Sequence, residues 1–102
     1  MLPLIAEHRA EIAELCRRFG VRRLDVFGSA ARNTDFNPQR SDIDFVVAFE
    51  RADGASLEEF LALREALAAI MNRPVDLVME GSVRNPFIKA GIRRSAETVY
   101  GT

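Results

Sequence analysis

Apolar residues in the first twenty positions recur at helical spacing. Ile5, Ile12, Leu15, Cys16 and Phe19 fall on one stripe, Pro3 stands near its start, and Gly20 offers a stop. One amphipathic helix is predicted there. From Val21 the pattern changes: Val21, Leu24, Val26 and Phe27 mark a strand over 21–27. Gly28-Ser29 breaks it. Residues 30–32 have the length of one helical turn, and 33–40 read as a polar loop with Asn37-Pro38 as a turn signal. Ile43 to Phe49 is a near-continuous apolar run, as a buried strand has. Ser56 and Glu59 then form a capping box, followed by a helix to about Met71 with Leu57, Phe60, Leu61, Leu67 and Ile70 at helical spacing. Residues 74–79 make a third short strand ended by Gly81. Asn85 caps a last helix with Pro86 at its first position, through about Ser95, and Val99-Tyr100 suggests a short edge strand.

This order predicts an α/β domain (α+β in some schemes), a small mixed sheet of three to four strands flanked by helices. A single domain is expected over 1–102. Strand 43–49, helix 56–71 and strand 74–79 form a βαβ unit, which requires parallel strands and a right-handed crossover. Strand 21–27 pairs most simply antiparallel with 43–49. The end of the first strand then lies beside the starts of the other two, and the chemically suggestive residues gather at that edge.

Asp42 and Asp44 bracket Ile43 at a strand start, so alternation turns both carboxylates one way while Ile43 enters the core. Two such carboxylates raise each other's proton affinity unless a cation lies between them, and Mg²⁺ suits hard oxygen ligands shared with phosphates. Alone, an Asp-x-Asp is common in turns. Asp76 adds to it, since it lies near the start of the adjacent strand among Val75, Leu77 and Val78, where an unpaired carboxylate is costly. Gly28-Ser29 can bring backbone amides and a hydroxyl against a phosphate. By itself that pair is a turn; facing three carboxylates, it reads as a triphosphate cradle.

Composition excludes some classes. At 102 residues the chain can build one core, and its 48% hydrophobic and 28% charged content is that of a globular protein. No apolar run approaches bilayer length, and the first nine residues lack the core of a signal peptide, so no membrane partner and a cytoplasmic address are expected. A single cysteine, Cys16, suits a reducing compartment. The net charge of −1 gives no global pull toward nucleic acid, and no direct nucleic-acid binding is expected. Lys89 is the only lysine; the arginine bias fits phosphate recognition, or simply genome base composition.

GSAAR (28–32), SDIDFVV (41–47) and PVDLV (74–78) resemble the DNA polymerase β-like nucleotidyltransferase superfamily. The short length and the segment NPFIKAGIRRSAETVYG (85–101) resemble its minimal branch, the MNT antitoxins of HEPN–MNT toxin–antitoxin pairs. The resemblance covers nearly the whole chain and implies the polymerase β-like fold. It implies that Gly28, Ser29 and Arg32 hold the nucleotide, that Asp42, Asp44 and Asp76 are catalytic and hold Mg²⁺, two ions, and that ATP is the substrate. It further implies transfer of AMP to a tyrosine of a HEPN ribonuclease toxin in a hetero-oligomer. Two departures fall in the loop over the nucleotide: the stretch from Ser29 to Asp42 is longer than usual for this branch, and Asn33 stands where glycine is common. With no sequence left for an acceptor domain, the acceptor is expected to dock on this domain. The alternatives are a binding-only antitoxin that occludes its partner, and a transferase for a small aminoglycoside-like compound.

Other residues have plain readings beside functional ones. His8, between Ile5 and Ile12, reads as structural. Arg17, Arg18, Arg22 and Arg23 read as a solvated face near a helix end, or as a contact for an acidic partner. Tyr100 reads as an edge-strand packer. Phe36, in the polar loop, is open between stacking on a base, touching the partner, and anchoring the loop.

Overall fold

The computed structural model describes residues 3–28, 42–51, 55–82 and 84–101. The elements run α1 (Pro3–Glu7), α2 (Arg9–Arg18), β1 (Val21–Phe27), β2 (Ile43–Phe49), α3 (Leu57–Met71), β3 (Val75–Met79), α4 (Pro86–Ser95) and β4 (Glu97–Gly101). The helical turn and polar loop expected over 30–40, with Ser29, Arg32, Asn33 and Phe36, lie outside the described residues.

The first helix departs from expectation. It is two helices, because His8 leaves helical geometry (φ −106°, ψ 14°). Its Nδ1–H donates to the Leu4 carbonyl at 2.8 Å, which satisfies one of the acceptors that a helix end leaves open. Ile5, on α1, and Ile12 and Cys16, on α2, are nevertheless fully buried in the same core. Burial also pushes the Cys16 thiol up to about 12, so this cysteine packs as an apolar group. Arg17 and Arg18 occupy the last turn of α2, where cations meet the carbonyl end of the helix dipole. Gly20, at φ +68°, then turns the chain into β1.

The sheet has the order β3-β2-β1-β4. β1 runs antiparallel to β2 and to β4, and β2 runs parallel to β3, as a crossover through α3 requires. Val99 of the edge strand is buried and Tyr100 packs against the core.

α3 starts at the expected capping box: Glu59 N–H donates to Ser56 Oγ at 3.1 Å, and Ser56 N–H donates to Glu59 Oε1 at 3.3 Å. It ends at Asn72 in the left-handed region. Its buried row corrects the sequence reading in part: Leu67 is in the core and Phe60 and Ile70 pack against it, as expected. Leu63, Leu67 and Met71, spaced four apart, face the core, whereas Leu57 is 73% exposed and Leu61 also faces outward. A helix this rich in apolar residues offers two overlapping stripes, and the sheet accepts the one that meets Ile43, Phe45 and Val47.

Helices α1 to α3 cover one sheet face. α4 lies over the other, where Lys89, Ile92 and Arg93 meet Asp25 and Val46 across a cleft of about 440 Å³. Among the described residues no helix is long and apolar enough to cross a membrane.

Candidate functional site

Alternation along β2 divides its side chains. Ile43, Phe45 and Val47 are fully buried in the core, and the intervening Asp44 and Val46 turn to the α4 face, half-buried. The register then sets the neighbours of Asp44: Phe27 on β1 and Asp76 on β3. Adjacent strands place Cβ atoms of paired residues about 5 Å apart on one face. The carboxyl groups of Asp44 and Asp76 come together there, close enough for the charge of Asp76 to raise the proton affinity of Asp44.

The electrostatics match that geometry. The Asp44 carboxyl is pushed up to about 6, first by burial, then by the Asp76 charge and hydrogen bond, and last by the charge of Asp42. Asp42 lies exposed just outside β2 and acts on Asp44 through space. Of the three carboxylates the structure therefore joins two, with the third close enough to add its field. Among the described residues, no group of three His, Cys, Asp or Glu side chains is already gathered to hold a metal ion. The preformed unit is the Asp44–Asp76 pair. Its donor set fits Mg²⁺: the repulsion between two adjacent hard carboxylates is relieved by a divalent cation, and Mg²⁺ binds through one or two carboxylates with phosphates completing its sphere.

Gly28 sits directly against Asp44 of this pair. It adopts φ +72°, and a Cβ placed there would come within 2.8 Å of Asp44 Oδ2. Both the backbone conformation and the contact require glycine. Its N–H donates to Ser95 Oγ at 3.1 Å, and that hydroxyl donates to the Gly91 carbonyl at 3.0 Å. The turn at the end of β1 is thus tied to the last turn of α4. Ser29 and Arg32, the other expected nucleotide ligands, lie outside the described residues.

Two residues of this face escaped the sequence reading. Asp25 is buried on β1 and accepts from Arg23 Nε at 2.9 Å. A carboxylate between Leu24 and Val26, with an arginine two positions earlier on the same strand face, was the available signal. Ser95 carried none, because its partner Gly28 is 67 residues away. The basic run is also resolved: Arg22 pairs with Glu80 and Arg23 with Asp25.

The chain matches the nucleotidyltransferase domain family over residues 10–98. Protein adenylyltransferase MntA of Thermococcus cleftensis is 38% identical over 97 residues, 95% of this chain and 88% of that protein. One chain of a toxin–antitoxin crystal structure with AMP-PNP aligns at a TM-score of 0.72 and 25% identity, over 92% of this chain and 73% of that one. A chain from the complex of a tri-AMPylated HEPN toxin of Shewanella oneidensis with its MNT antitoxin shares the fold, at a TM-score of 0.69 and 22% identity over 96% and 73% of the two chains. With the glycine turn and the paired aspartates at one sheet edge, these likenesses carry one conclusion: the chain belongs to the nucleotidyltransferase domain family, in the minimal branch of the protein adenylyltransferases.

Proposed function

We propose that this nucleotidyltransferase is a cytoplasmic antitoxin that moves AMP from ATP to a tyrosine of a HEPN-type ribonuclease toxin, neutralising it within a hetero-oligomer. The observation that carries this reading is the Asp44–Asp76 pair, in register on adjacent strands with Asp44 against Gly28. The name of the Thermococcus cleftensis relative supports protein adenylylation. The toxin–antitoxin structure with AMP-PNP supports an adenine nucleotide and a toxin partner. The HEPN class and the tyrosine come from the resemblance of GSAAR, SDIDFVV and PVDLV to the MNT antitoxins.

Asp42, Asp44 and Asp76 would hold Mg²⁺, in two ions. When bound, the metal supplies charge neutralisation at the phosphates and a lower pKa for the attacking hydroxyl. The chain's own residues do the rest. The Gly28 turn lets the backbone close on the triphosphate, Ser29 donates its hydroxyl to a phosphate oxygen, and Arg32 adds a fixed positive charge. Asp76 draws off the proton of the tyrosine hydroxyl. The hydroxyl oxygen then bonds to the α-phosphorus in line as the bond from that phosphorus to the bridging oxygen breaks, and pyrophosphate leaves with the electron pair. Little covalent work falls to the protein, so positioning is its main task.

Incubation of the chain with ATP, Mg²⁺ and the protein encoded beside it, followed by intact-mass measurement, tests the reading. One or more added AMP groups, mapped to tyrosine, are expected. A partner that is inhibited yet unmodified sinks transfer and leaves occlusion.

A further inference from the structure

Charge is distributed unevenly along this chain. Residues 81–96 contain Arg84, Lys89, Arg93 and Arg94 and no Asp or Glu, so the net −1 of the chain is +4 on this segment and −5 elsewhere. None of these four cations forms an ion pair among the described residues, in contrast to Arg22 and Arg23. The same segment carries apolar side chains that the fold does not use. Phe87 is 85% exposed and Ile88 54%, and α4 contributes no buried residue to the core. Asn85 holds the start of α4 in place, accepting from Phe87 N–H at 2.9 Å and from Ile88 N–H at 3.4 Å, so the two side chains are presented from a fixed turn.

Beneath α4 the cleft continues this character. Lys89 and Arg93, four apart on one helix face, form its outer wall with Ile92 between them. Its inner wall includes Val46 and Asp25, and Glu80 at its rim is taken by Arg22. Asp25 is already paired with Arg23, so Lys89 and Arg93 form no ion pair among the described residues, and they share the cleft with apolar Val46 and Met79. The cleft also leads to the candidate site. Asp25 pairs with Val46, and the next pair on the same face is Phe27 with Asp44, about 7 Å further along the strands. Ser95 links the far end of α4 to Gly28.

We propose that the cationic face of α4, with Phe87 and Ile88 at its tip and the cleft below, docks the acceptor protein through an acidic segment flanked by an apolar contact. This rests on the protein-adenylyltransferase reading and says how a catalyst of this size holds its acceptor. A protein fits better than a nucleic acid. A polyanion following the surface meets the −5 of the remaining chain and the carboxylate site itself, whereas a protein needs to bring negative charge only to α4.

The test compares wild type with Lys89→Glu/Arg93→Glu and with Phe87→Ser, using the purified protein encoded by the adjacent gene as probe. Calorimetric titration at two salt concentrations gives the affinity, and intact mass gives AMP transfer. Charge reversal is expected to weaken binding at least about tenfold and to flatten its salt dependence, and Phe87→Ser to weaken it with an unchanged melting midpoint, since that side chain is exposed. Wild-type affinity in both variants overturns the docking surface. So does single-stranded RNA binding to wild type that the charge reversal abolishes. A partner bound through α4 but never modified keeps the surface and overturns the transfer reading. No binding to wild type overturns both.

Discussion

The two faces of one strand, β2, are built on opposite terms. Toward α1 to α3, Ile43, Phe45 and Val47 are fully buried and join a continuous apolar core. Toward α4, Asp44 is held against the like charge of Asp76 beside a glycine that no other residue could replace without strain or collision. Stability accumulates on the first face. The second face gives part of it up by holding like charges together, as the proposed cation and triphosphate site requires. Residues one position apart in sequence therefore respond to substitution in opposite ways.

The largest expected effect separates the faces outright. Asp44→Asn should lower AMP transfer by about a thousandfold or more, as loss of several kcal/mol of metal-borne stabilisation implies. Its thermal midpoint at neutral pH should match or exceed that of wild type without metal. A steady-state assay of partner modification, paired with a melting curve, reads both, and a variant that transfers at wild-type rate removes Asp44 from the site. Phe45→Ala is the mirror image: about 3–5 kcal/mol of unfolding free energy lost by denaturant titration, through removal of a fully buried ring. Gly28→Ala joins the two faces. Its φ of +72° costs a side chain roughly 1–2 kcal/mol, and the added methyl displaces the Asp44 carboxylate, so stability and transfer fall together.

A finer test uses pH. The Asp44 carboxyl is raised from 3.8 to about 6 in the folded protein, so across that window the native state binds more protons than the unfolded chain. Unfolding there releases a proton, and the metal-free protein loses stability as pH rises. Melting midpoints of wild type and Asp44→Asn should coincide near pH 3.5 and diverge, with wild type falling behind, up to about pH 6. Added Mg²⁺ should close the gap at pH 7, since it binds the charged form. The smallest effect lies far from the site: Ser56→Ala removes the N-cap of α3 and should cost about 1 kcal/mol with transfer unchanged.

Local signals were legible wherever neighbours in sequence are neighbours in space. The Ser56–Glu59 box, the Asn85 cap with Pro86 and the strands over 21–27 and 43–49 each depend on a few consecutive residues, and each stands where the pattern placed it. The errors were of a different kind. His8 leaves helical geometry with no glycine or proline to signal it, and Leu63 and Met71 join the expected Leu67 in the core while Leu57 and Leu61 face outward, because only one stripe meets the sheet. An apolar-rich helix carries both stripes in its sequence, so periodicity could not choose between them.

From the order of residues alone came the mixed sheet, the crossover, and the gathering of Gly28, Asp42, Asp44 and Asp76 toward one edge, because strand alternation and connection handedness are local and chiral constraints. Only the tertiary structure decided that Asp44 stands opposite Asp76 in register, that burial and that neighbour raise the Asp44 carboxyl to about 6, and that Ser95 fastens α4 to Gly28. Those facts depend on strand register and on contacts across many tens of residues. Register is set by how all the buried faces fit at once, which no single stretch of sequence contains.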